Sequence, residues 1–185
     1  MPSESYLLYV LIVACEIGFW VFLLLGLACR YLLQREQLSS ALLLGLPLID
    51  ALLLVFTAMD LRNGATATFA HGLAAAYIGF TVSFGAMAVK WADAHFAHRF
   101  AGGPAPSEPP TRGWPAVRFE LGLWARCIVA CIITMFLVEA LILFVGAGET
   151  TQPLLAWQRY AFGCIVMWFF LGPVWGLVTA WRRAP

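Results

Sequence analysis

Hydrophobic residues in this chain gather into five long runs, at positions 6–28, 41–59, 66–89, 121–147 and 160–181, with short polar breaks between them and one long one. None of the runs alternates polar with apolar at a period of two, as a half-buried strand or a membrane barrel strand does. A helix rises about 1.5 Å per residue and needs about 20 residues to cross a hydrocarbon core of about 30 Å. Each run is about that long or longer. The pattern therefore predicts an all-α polytopic membrane protein, a bundle of five transmembrane helices forming a single membrane domain over residues 1–185.

Composition agrees with the pattern. With 62% hydrophobic and 11% charged residues and a mean hydropathy of +0.85, the chain has too little polar surface to cover a water-soluble globule. The first run is too long for a signal peptide, and Met1-Pro2-Ser3-Glu4-Ser5 before it lacks the basic residue of a targeting segment, so it is expected to be retained as a helix. Lys and Arg near helix ends concentrate on the cytoplasmic side. Placing the N-terminus outside and the C-terminus inside puts Arg30, Arg35, Lys90, Arg99, Arg112, Arg118, Arg126, Arg182 and Arg183 inside, and only Arg62 and Arg159 outside. The net charge of +1 gives no reason to expect a nucleic-acid partner.

The breaks are unequal. Short links at 30–37, 60–64 and 148–153 make neighbouring helices antiparallel, whereas 90–120 forms a long cytoplasmic interfacial and Pro-rich loop. Its first part, 90–100, mixes aromatic and basic residues and should carry the third helix past the membrane. Gly102-Gly103-Pro104-Ala105-Pro106-Ser107-Glu108-Pro109-Pro110 then ends it and favours extended backbone. This surface is the expected place for a cytosolic partner, and an interfacial spacer is the plainer reading of the same composition.

The segments Leu46-Pro47-Leu48-Ile49-Asp50, Asp60-Leu61-Arg62-Asn63-Gly64-Ala65-Thr66-Ala67-Thr68-Phe69-Ala70-His71-Gly72, Lys90-Trp91-Ala92-Asp93 and Arg99-Phe100-Ala101-Gly102-Gly103-Pro104 resemble YmcC-like hypothetical integral membrane proteins of bacteria. The likeness covers the middle third best. It implies a multi-pass protein of the bacterial inner, or cytoplasmic, membrane and brings no activity, cofactor or catalytic residue with it.

Chemistry must come from the residues. Glu16, Asp50 and Glu139 each lie inside a different apolar run, where a charge costs on the order of 2.5–3.5 kcal/mol on insertion scales and is by default a functional candidate. Counted along the runs, Glu16 and Asp50 fall near the midplane. His71 lies about a turn below the outer surface, Glu139 in the outer third of its helix, and Asp60 with Arg62 at the outer mouth, where a local ion pair at the turn is the simplest role. With polar faces turned inward, Glu16, Asp50, His71, Glu139 and Asp60 would form an outward-facing acidic pocket that binds a cation or relays protons. The plainer alternative is that the acids bond to Tyr9, Thr57, Tyr77 or Thr81 as glue between helices.

Cys127, Cys131 and Met135 recur every four residues on one helix face, which suits Cu(I), but packing is the first reading of such a stripe and no metal site is expected. Cys15, Cys29 and Cys164 also fall in or beside apolar runs and suggest no disulfide framework. Gly72, Gly79 and Gly85 give the third helix a smooth face for close packing, and Pro47 and Pro173 are candidate kinks. No nucleophile elbow, zincin, phosphate-loop or dinucleotide pattern is present, and an enzymatic role is left open. The leading expectation is a small cation or proton transporter or channel subunit, working as a homo-oligomer because five helices enclose little volume. The alternatives are a membrane-embedded enzyme acting on a lipid or quinone, using Asp50, His71 and Glu139, and a non-catalytic scaffold.

Overall fold

Helix α1 (Pro2–Tyr31) turns back within a few residues into α2 (Glu36–Arg62). Their antiparallel contact is set by two glycines: a Cβ on Gly26 would lie 3.0 Å from Leu43, and one on Gly45 would lie 3.1 Å from Phe22. Helix α3 (Phe69–Ala101) and helix α4 (Gly113–Val145) follow. The chain then passes through a 3-10 turn (Gln152–Leu155) into α5 (Ala156–Phe169), a π turn (Phe170–Val174) and α6 (Trp175–Arg182). The computed structural model describes residues 2–31, 33–111 and 113–182, and within its helices leaves out the side chains of 2–9, 12, 16, 100, 101 and 179–182. Among the described residues there is no strand, and five segments are long and apolar enough to cross a membrane: Val13–Tyr31, Glu36–Arg62, Phe69–Arg99, Gly113–Val145 and Gln152–Val178.

The distribution of side chains is that of a protein whose solvent is hydrocarbon. Leu143 and Leu44 are 81% and 80% exposed, while Asp50 and Thr57 are 2% and 1% exposed. A water-soluble domain shows the opposite arrangement. Lipid tails are as apolar as leucine, so burying leucine between helices gains little, and close backbone approach with polar contacts must supply specificity. Helix α3 provides that approach. A Cβ on Gly79 would lie 2.5 Å from the Ala130 carbonyl oxygen of α4, and one on Gly72 would lie 1.8 Å from the Trp157 indole nitrogen of α5. Gly85, the third glycine of the expected face, meets only its own helix, at 3.7 Å from Thr81.

Both ends of α3 are chemically defined. Thr68 is the N-cap, and His71 takes the place that Glu or Gln usually holds in a capping box: the Thr68 backbone N–H donates to His71 Nδ1 at 3.0 Å. At the other end Gly102 adopts φ 64°, ψ 20°, the left-handed cap that glycine tolerates without strain. Thirty-three residues make α3 about 50 Å long, well beyond the hydrocarbon core. Its overhang is tied to the end of α1: Arg30 Nε lies 3.1 Å from Asp93, Tyr31 donates its hydroxyl hydrogen bond to the same carboxylate, and the Tyr31 and Phe96 rings stack at 4.4 Å.

The two prolines act differently. Pro47 is accommodated inside a continuous α2. Pro173 coincides with the π turn, which absorbs the missing N–H and the clash of the ring with the preceding turn, and both it and Gly172 are buried.

Candidate functional site

The buried face of α2 reads Ser39, Leu46, Asp50, Leu53, Thr57, Leu61, spacings of three, four and seven that keep one stripe toward α1 and α3. Asp50 is thus carried inward by helical periodicity, on the same stripe as the apolar residues around it. Thr81 of α3 donates a hydrogen bond to Asp50 Oδ2 at 3.0 Å. Beside the carboxylate is a cavity of about 90 Å³, lined by Cys15, Phe19 and Trp20 of α1, Ile49, Asp50 and Leu53 of α2, and Tyr77 of α3. At about 30 Å³ per water, that volume suits a few water molecules or one small cation. The walls are aromatic: Phe19 and Tyr77 lie nearly parallel with centroids 6.5 Å apart, and Trp20 meets Phe19 edge-on at 5.8 Å.

A second polar contact joins the same two helices nearer the α2–α3 turn. His71 Nε2 lies 3.3 Å from Asp60 Oδ2, with both side chains mostly covered. Because His71 Nδ1 accepts from the Thr68 backbone N–H, the ring proton is assigned to Nε2, which donates to Asp60. Thr68 Oγ1 is also 2.8 Å from Nδ1, so histidine and threonine close the cap together. Asp60 therefore pairs with His71 rather than with Arg62, whose guanidinium lies over the Phe144 ring of α4 at 4.8 Å.

The candidate residues accordingly occupy separate places. Ten positions separate Asp50 from Asp60 and His71 from Thr81, about 15 Å along each helix, so the α2–α3 seam carries two polar levels. Glu139 is on α4, where it accepts a hydrogen bond from Gln158 of α5 in an exposed setting. The structure brings Asp60 to His71 and Asp50 to Thr81, and it places Glu139 with neither pair. The Glu16 side chain lies outside the described residues. Arg126, well inside α4, donates to the Ser83 carbonyl of α3 at 3.0 Å.

Sequence reasoning missed the aromatic lining of the cavity. Its trace was present in the offsets Cys15 to Phe19 and Tyr77 to Thr81, four residues apart and so on one helix face in each case. Which faces meet depends on helix rotation, which a run of hydrophobic letters leaves open.

Fold and site together define a polytopic α-helical membrane protein with a buried carboxylate between its first three helices. No protein-family model and no solved structure matches the chain. Against curated proteins it is 37% identical over 145 residues, 78% of its own length and 77% of the relative's, to the uncharacterized membrane protein YmcC of Bacillus subtilis (strain 168). The chain belongs to the YmcC family of membrane proteins. The match is much longer than the middle third on which the resemblance was first legible.

Proposed function

We propose that this chain binds a small cation, or passes protons, at Asp50, and that it does so in a bacterial cytoplasmic membrane with its N-terminus outside. One observation carries the reading: the buried Asp50 carboxylate has a single hydroxyl partner and no basic partner among the described residues, and it borders a cavity. A carboxylate offers about four acceptor positions, and Thr81 fills one. A buried anion needs a compensating positive charge or a proton, and the cavity gives either one room to arrive. Aromatic faces at the site add to the attraction for a cation, which their negative π surfaces favour. The nine-to-two division of basic residues supports the orientation. Transport through so small a bundle would use more than one copy of the chain.

The test is flux into liposomes carrying a pH-sensitive dye, with purified wild type and Asp50→Asn, which keeps the shape and removes the charge. Wild type should dissipate an imposed proton or cation gradient and the variant should not. Equal flux in the two, or none in the wild type, would overturn the reading.

A further inference from the structure

We propose a Cu(I)-binding site formed by Cys127, Cys131 and Cys164 between α4 and α5. It is independent of Asp50 and lies on other helices. Cys127 and Cys131 are one turn apart on α4 and so project from the same face. Antiparallel α5 brings Cys164 up to them, and the three Sγ atoms lie within 4.8 Å of one another, with Cys127 and Cys164 at 3.8 Å.

A metal held by three sulfurs at about 2.3 Å in a plane sets the sulfurs about 4.0 Å apart, by trigonal geometry alone. The observed spacing needs only small side-chain shifts to reach that. It is well beyond a disulfide bond of about 2.05 Å, and the thiols are free. Cys127 and Cys131 are buried and Cys164 is partly exposed.

The donor set selects the ion. Phe84, Ala130 and Ala161 pack around the cluster with Met87, Met135 and Trp168, and no carboxylate or imidazole joins the group among the described residues. Sulfur donors alone select soft ions. Structural zinc takes four ligands in a tetrahedron, and three thiols do not complete that shell, whereas Cu(I) is the soft monovalent ion that so apolar a site charges least. On binding, a Cu–S bond forms to one cysteine as its S–H bond breaks and the proton leaves to water; the other two sulfurs donate as thiols. Copper remains Cu(I), no sulfur is oxidised, and the occupied site is neutral.

The experiment is anaerobic titration of the purified, reduced full-length chain with Cu(I), supplied as its acetonitrile complex, against bicinchoninate as competitor. One Cu(I) per chain is expected. Cys127→Ala, Cys131→Ala and Cys164→Ala should each weaken binding by at least roughly tenfold, the scale on which even outer-shell partners of a metal act. Cys29→Ala, outside the cluster, should leave binding unchanged. Should the cluster variants fail to insert, alkylation of the wild type followed by mass spectrometry gives the same answer: Cu(I) should protect Cys127, Cys131 and Cys164 and leave Cys29 as reactive as before. Absence of retained copper, wild-type affinity in the triple alanine variant, uniform protection of all cysteines, or a preference for Zn(II) over Cu(I) would each overturn the proposal.

Discussion

The two sides of this bundle handle buried polarity in opposite ways. Between α1, α2 and α3 carboxylates and an imidazole are tied by named bonds, Asp50 to Thr81 and Asp60 to His71, beside a buried Ser39 hydroxyl that has no hydrogen-bond partner among the described residues. Between α4 and α5, apart from the exposed Glu139–Gln158 bond, three thiols gather in an apolar cluster, with Cys127 and Cys164 in a weak sulfur contact at 3.8 Å. The difference follows from what burial costs. An unpartnered carboxylate in hydrocarbon costs several kcal/mol, so it is found with a donor and a cavity; a thiol behaves as a small hydrophobe and can be buried without one. On the two proposals made above, carboxylate on one side and polarizable sulfur on the other would take different cations, hard or protonic at Asp50 and soft at the thiols.

Helix α3 serves both sides, so it is where the comparison breaks most readily. Its Gly72 leaves space for the Trp157 indole, which is itself stacked on Phe69 at 4.8 Å and cannot simply swing away. Gly72→Ala should cost about 3 kcal/mol, at the upper end of overpacking effects, read as a fall in the unfolding midpoint in detergent. A change under 0.5 kcal/mol, the scale of ordinary surface substitutions, would mean that α5 is not seated on α3 as described.

A smaller effect is expected at the cap. His71→Ala removes both the capping contact to Thr68 and the partner of Asp60, for about 1 kcal/mol. His71→Gln restores a capping side chain and should recover part of that loss, whereas a histidine valued only for its bond to Asp60 would gain nothing from it. The same unfolding measurement separates the two roles, and neither variant should alter the thiol side.

Much of this fold is written in the hydropathy of the chain, because hydrocarbon demands long apolar helices and tolerates little else. The glycine-lined close contacts at Gly72 and Gly79 were legible for the same reason: lipid offers no drive to bury leucine, so small residues mark where helices meet. The site was less legible. Asp50 stands out in any reading, and Thr81 was among its possible partners, yet one shared acidic pocket was expected where the structure has an Asp50 level, an Asp60 level and a Glu139 bonded to Gln158 instead. Counting positions gives depth along a helix but not rotation about it. The thiol cluster shows the same limit, since Cys127 and Cys131 share a helix and a visible spacing, while Cys164 joins them only through the packing of α5.

The smallest expected effect decides most about Asp50. Thr81→Val keeps the shape of the side chain and removes the hydroxyl that donates to the carboxylate. Interhelical hydrogen bonds in membranes average about 0.6 kcal/mol by double-mutant cycles, with a maximum near about 1.7. A cycle of Thr81→Val with Asp50→Asn, read by unfolding, should give a coupling of about 0.6 kcal/mol. That is too little to offset the cost of holding a carboxylate in hydrocarbon, which leaves the acid explained by what enters the cavity beside it. A coupling above about 2 kcal/mol would reverse the inference: Asp50 and Thr81 would then be a structural joint, the charged side of the bundle would be as inert as ordinary packing, and the thiol side would hold the chemistry alone.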